Sequence, residues 1–175
     1  MPDQQPQKKL RLFYALWPDA ATRAALTQLQ LAVRGRKMRP ENFHLTLAFL
    51  GEQAPASLPL LRQVLQQLGG SALDLQLDQY GYFRRNRIAW AGMQQVPPAL
   101  IALQQDLAQA LVRHRIDYDN QSAFRPHLTL ARNAPAPEQL TAVPVLWHAD
   151  QVALVQSDSL DQGRQYRILA SHWLK

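Results

Sequence analysis

PENFHLTLAFLG (Pro40 to Gly51) and FRPHLTLAR (Phe124 to Arg132) share the tetrapeptide HLTL, at His44–Leu47 and again at His127–Leu130. The chain holds five His and five Thr in 175 residues, so random placement gives about 0.14 His-x-Thr pairs, and two inside one identical string disfavour chance. Phe43 to Leu50 alternates and stops at Gly51, which predicts a strand, and the second string has the same pattern. Side chains alternate across a strand, so His44 and Thr46 share one face and Leu45 and Leu47 the other. His127 and Thr129 are set against Leu128 and Leu130 in the same way. One face can enter a core while the other presents an imidazole and a hydroxyl about 6 to 7 Å apart.

That spacing suits a phosphate group lying against both side chains. An imidazole titrates near neutral pH, so two of them can serve as paired acid and base. A Thr hydroxyl donates to a phosphate oxygen without adding charge. If the two strands lie side by side, two His-Thr sets grip one phosphorus centre from opposite sides. Single instances carry less weight: an isolated strand His is ordinarily a hydrogen-bonded or surface residue, and Thr packs well on a pleated sheet in any case. His114, His148 and His172 lie in no comparable context and are read as structural. A zinc site needs more ligands than the two strings supply, with no carboxylate or Cys at a useful spacing. A serine hydrolase would show a G-x-S-x-G turn, and none is present.

Outward from the motifs, Leu10 to Trp17 reads as a strand ending at Pro18-Asp19, followed by a helix over DAATRAALTQLQLAV that ends near Gly35. A second helix is expected from about Ala56 to Leu68, closed by Gly69-Gly70. Leu73 to Tyr80 and Ile88 to Ala91 flank the basic turn FRRNR as a hairpin. Pro97-Pro98 opens the longest helical pattern, with Leu100, Leu103, Leu107 and Leu111 at helical spacing. After the second motif come a proline-rich loop, NAPAPEQ, and two strands, Val152 to Gln156 and Gln165 to Ser171, joined through SLDQG. The expected class is α+β. The strings are 83 positions apart, each behind a helix and an irregular connector, as in a degenerate duplication whose halves each contribute one motif strand.

Nineteen Lys+Arg against thirteen Asp+Glu give a net charge of +6 and a pI near 10.1, which favours an anionic partner: nucleic acid, a phosphorylated small molecule or an anionic membrane surface. Arg34, Arg36, Lys37 and Arg39 before the first motif, and Arg84, Arg85 and Arg87 in the hairpin, are candidate RNA-backbone contacts or equally solvated loop residues. The absence of cysteine excludes disulfides and thiolate metal sites and fits a reducing cytoplasm. The polar start, MPDQQPQKK, is followed by an apolar stretch too short for a signal peptide or a membrane span, so residues 1–9 are expected to be a flexible tail and the protein to be soluble.

The paired motifs and their flanks resemble the 2H phosphoesterases, and among these the bacterial RNA 2′,3′-cyclic phosphodiesterases, also called 2′-5′ RNA ligases. RLFYALWP is similar to that family's opening strand, PENFHLTLAFLG and FRPHLTLAR to its two motifs, NRIAWAG to its mid-chain strand and SDSLDQGRQYRIL to its C-terminal hairpin. The resemblance runs nearly the whole way from Leu10. It implies a single two-lobed α+β domain over residues 10–175, with antiparallel sheets lining a central cleft, helices outside and an approximate two-fold axis. It also implies a metal-free reaction without cofactor: His44 as proton donor, His127 as proton acceptor, and Thr46, Thr129 and Arg132 on the phosphate. The implied reaction opens RNA 2′,3′-cyclic phosphate ends, tRNA fragments among them, to 2′-phosphomonoesters. With an RNA 5′-hydroxyl in place of water, the same displacement gives ATP-independent 2′-5′ ligation. A monomer acting away from membranes is expected. A phosphodiesterase for a small cyclic nucleotide or an ADP-ribose cyclic phosphate, and a nucleotide-binding module without turnover, stay open as alternatives.

Overall fold

The computed structural model describes residues 7–175, so most of the expected N-terminal tail lies outside the described residues. Among the described residues, nine strands form one sheet. The strands are β1 (Leu10–Leu16), β2 (Arg36–Lys37), β3 (Leu45–Gln53), β4 (Leu73–Phe83), β5 (Ile88–Gly92), β6 (Leu128–Arg132), β7 (Thr141–Ala149), β8 (Gln151–Leu160) and β9 (Gly163–Trp173). The helices are α1 (Ala20–Gln30), α2 (Leu58–Gln66) and α3 (Pro98–Arg113). Neighbouring strands run β7-β4-β5-β6-β3-β1-β8-β9, all antiparallel, with β2 added alongside β6.

The path reads as two four-stranded halves meeting at the motif strands. β3 and β6 touch through a single register pair, Leu45 with Leu128, so the two expected lobes share one sheet path that is nearly severed at its centre. The halves are not consecutive in sequence: β8 and β9 return from the C-terminal end to complete the half that holds β1 and β3.

β1 shows how one strand serves two faces. Leu12, Tyr14 and Leu16 enter the main core, which also takes Leu26 and Leu29 of α1 and Leu61, Val64 and Leu65 of α2. Phe13 and Ala15, with Trp17 just beyond the strand, form a second apolar cluster with Ala153 and Val155 on the opposite face. A strand buried on both sides reads as a continuous apolar run, as LFYALW does. Tyrosines fix the helices to the sheet: the Tyr14 hydroxyl donates to the Leu61 carbonyl at 2.7 Å, and the Tyr80 hydroxyl to the Leu29 carbonyl at 2.9 Å.

The first helix is shorter than its periodicity predicts, ending at Gln30 rather than near Gly35. At that end the buried Gln30 side chain donates through its Nε2 to both the Met38 and Leu130 carbonyls, at 2.7 and 2.8 Å. It thereby ties α1 to β6 and to the residue that follows β2. Gly35 then turns the chain with φ +108°, against the Ala134 backbone, where a Cβ would lie 2.7 Å from Cα. The second helix begins with a 3-10 turn at Pro55–Ser57. β7 follows the predicted NAPAPEQ loop, over a stretch to which the sequence reading assigns no element.

Candidate active site

Leu45 and Leu128 are fully buried, so the apolar face of each motif points into the core. Counting one residue outward from their antiparallel pairing sets His44 across from Thr129 and Thr46 across from His127. All four side chains project to the face opposite the buried leucines. Directly opposed residues on one face lie about 4.5–5.5 Å apart at Cβ. The pairing of the two strands therefore sets the two His-Thr sets side by side on one face. Arg132, the last residue of β6, pairs with Arg36 of β2, and its charge acts on both imidazoles.

One detail differs from expectation. Both histidines stand just before their strands, which begin at Leu45 and Leu128. At that position each imidazole makes the same hydrogen bond in both motifs. The Nδ1 of His44 lies 2.7 Å from the Asn42 carbonyl, and the Nδ1 of His127 lies 2.7 Å from the Arg125 carbonyl. A carbonyl only accepts, so each Nδ1 carries the proton and each Nε2 is left with its lone pair for proton exchange.

Aromatic rings wall in both imidazoles. Trp17 stacks on His44 at 5.5 Å and 9°, Phe13 is tilted at 4.8 Å, and Tyr166 meets it edge-on at 5.2 Å. His127 meets Phe83 edge-on at 4.8 Å, with Trp90 at 6.1 Å. Trp90 lies over two glycines, and a Cβ at Gly81 would stand 2.0 Å from its indole. Its Nε1 is buried without a hydrogen-bond partner among the described residues.

These walls decide the protonation states. Burial pushes the His44 imidazole down to about 4, against the raising effect of the Asn42 carbonyl and with help from the charges of His127 and Arg132. Burial lowers His127 too, opposed by the Arg125 carbonyl and aided by Arg132. With both values below the ordinary 6.5, both rings are neutral at pH 7.

Open space flanks the constellation on two sides. Thr46 and His127 line a cleft of about 1070 Å³ that also takes in Phe49, Phe83, Arg84, Arg85 and Arg125. A smaller cavity, of about 330 Å³, opens beside Arg132 and Tyr166. Arg34, by contrast, is ion-paired with Glu138 on the surface, and His148 bonds Asp74 at 2.7 Å on the exposed side of β4 and β7. Among the described residues no three His, Cys, Asp or Glu side chains come together as a metal-binding group, and no helix is long and apolar enough to cross a membrane. Sequence reasoning missed Phe13, Trp17, Phe83, Trp90 and Tyr166, whose only signal was their aromatic character.

The sequence and the fold have known counterparts. The RNA 2′,3′-cyclic phosphodiesterase of Escherichia coli strain K12 is 34% identical over 128 residues, covering 71% of this chain and 72% of that protein. The RNA 2′,3′-cyclic phosphodiesterase of Thermus thermophilus is 31% identical over 185 residues, covering 95% of this chain and 91% of that protein. The crystal structure of E. coli LigT in apo form superposes with a TM-score of 0.84 at 27% identity, over 96% of this chain and 99% of that one. E. coli LigT complexed with 3′-AMP gives a TM-score of 0.83 at 28% identity, over 95% and 99%. The family model described as the 2′-5′ RNA ligase superfamily matches residues 17–161, and the chain belongs to that superfamily.

Proposed function

We propose that this chain is an RNA 2′,3′-cyclic 3′-phosphodiesterase working by two-histidine acid–base catalysis. The observation that carries the reading is the pair of matched Nδ1 hydrogen bonds, which free the Nε2 of both His44 and His127 on one face of the sheet. The relatives named above, which bear that activity in their names, support it.

In the reaction, His127 Nε2 takes a proton from water, and the water oxygen attacks phosphorus. The phosphorus–O3′ bond breaks in line, and protonated His44 delivers its proton to the departing 3′ oxygen. The product is a 2′-phosphomonoester with a free 3′-hydroxyl. Thr46, Thr129 and Arg132 stabilise the charge that builds on the non-bridging oxygens. The cyclic phosphate is itself an anion, and its arrival raises both lowered imidazole pKa values, so that His44 can hold the proton it must give. A 5′-hydroxyl in place of water closes a 2′-5′ linkage by the same bond changes, without ATP.

The proposed substrates are RNA ends, tRNA fragments among them, and the proposed enzyme is a cytoplasmic monomer in which residues 10–175 act as one two-lobed unit. The test is turnover of an oligoribonucleotide ending in a 2′,3′-cyclic phosphate. Loss of turnover in both His44→Ala and His127→Ala is expected, and wild-type rates in either variant would overturn the scheme.

A further inference from the structure

The cavity of about 330 Å³ is lined by Arg36, Lys37, Arg39, Arg132 and Arg164, together with Asn42 and Tyr166, and by no carboxylate. None of these five cations makes a salt bridge among the described residues. Arg164 is nonetheless held in place: its guanidinium donates to the Ser157 hydroxyl at 3.1 Å, and its carbonyl accepts from the Asn42 side chain at 3.3 Å. Like charges gathered around a partly open cavity repel one another, and an anion there relieves the repulsion.

The cavity adjoins one histidine and not the other. Asn42 supplies the carbonyl that orients His44, and Tyr166 packs edge-on against the His44 ring. His127 and Thr46 instead face the larger cleft. In an in-line displacement the leaving oxygen departs on the side opposite the attacking water. The proton donor's side therefore carries the ribose and everything attached to it.

We propose that this cavity is a second phosphate site, which takes the phosphate on the 5′ oxygen of the terminal nucleoside, chiefly through Arg39 and Arg164. The inference rests on the reading of His44 as proton donor in a cyclic phosphodiesterase. It makes an RNA end, whose terminal nucleoside carries such a phosphate, a better substrate than a free cyclic nucleoside phosphate.

The test compares adenosine 2′,3′-cyclic phosphate with the same compound bearing a 5′-phosphate, in wild type, Arg39→Ala, Arg164→Ala and the double variant. Arg34→Ala, outside the cavity, is the control. Wild type should prefer the 5′-phosphorylated substrate in kcat/KM by about tenfold or more, the equivalent of one hydrogen bond to a charged group. That preference should fall stepwise toward one in the cavity variants and persist in Arg34→Ala. Equal kcat/KM for the two substrates in wild type, or a preference that survives the double variant, overturns the second site. Failure of wild type to hydrolyse either compound would instead count against the phosphodiesterase reading itself.

Discussion

His44 and His127 are oriented by the same device: each Nδ1 is bonded at 2.7 Å to the carbonyl two residues upstream, of Asn42 and Arg125 respectively. Two residues that act on one bond-making event give non-additive losses. His44→Ala and His127→Ala should each lower kcat by about 10²–10⁴-fold. The double variant should be little worse than the poorer single one. Steady-state kinetics on a cyclic-phosphate oligonucleotide checks this, and multiplying losses would argue that the two rings act independently.

The pH dependence follows from the walls around the rings. The reaction needs one imidazole protonated and the other neutral. In the free protein His44 titrates at about 4 and His127 below the ordinary 6.5. Above the higher of these both rings are neutral, and below the lower both are charged. The kcat/KM profile should therefore be a bell on the acid side of an ordinary histidine. The kcat profile, set by the phosphate-bound enzyme, should be displaced to higher pH. A monotonic rise between pH 5 and 9 in both profiles would contradict the two-histidine scheme.

Thr46 and Thr129 face the histidines across the Leu45–Leu128 pair. Thr→Val preserves the β-branched shape that suits a strand and removes only the hydroxyl. Each change should lower kcat by about 10²-fold, in the range for loss of one preorganised donor. Circular dichroism and thermal midpoint should change little by comparison, because both positions are only partly buried.

Much of this site is legible in the alternation of HLTL, because a two-residue period places His and Thr on one face whatever the surroundings. The strand Thr141–Ala149 is not legible in the same way. It carries Pro144, which argues against a central strand, and it lies at the outer end of the sheet, where a missing N–H is tolerated. The aromatic walls are equally hidden. Trp17 and Tyr166 meet at His44 from opposite ends of the chain, and only the return of β8 and β9 beside β1 brings them together. The basic run before the first motif was visible, but not that Arg34 would pair with Glu138 while Arg36 and Arg39 turned to the cavity.

Gly81 faces Trp90 across β4 and β5, and a Cβ there would stand 2.0 Å from the indole. Gly81→Ala must move that ring, which in turn adjoins His127. Overpacking of this kind destabilises by about 1–3 kcal/mol, which a urea midpoint will register. Activity should fall further than the loss of folded protein explains. Replacing Trp90 with Leu in the same chain should recover stability without recovering kcat.

The most direct measurement is the identity of the product formed from an oligoribonucleotide with a 2′,3′-cyclic phosphate end, incubated with the wild-type protein in excess EDTA. Two-histidine displacement of the 3′ oxygen predicts undiminished turnover to a 2′-phosphomonoester alone. A 3′-phosphomonoester, or turnover abolished by EDTA, would contradict it.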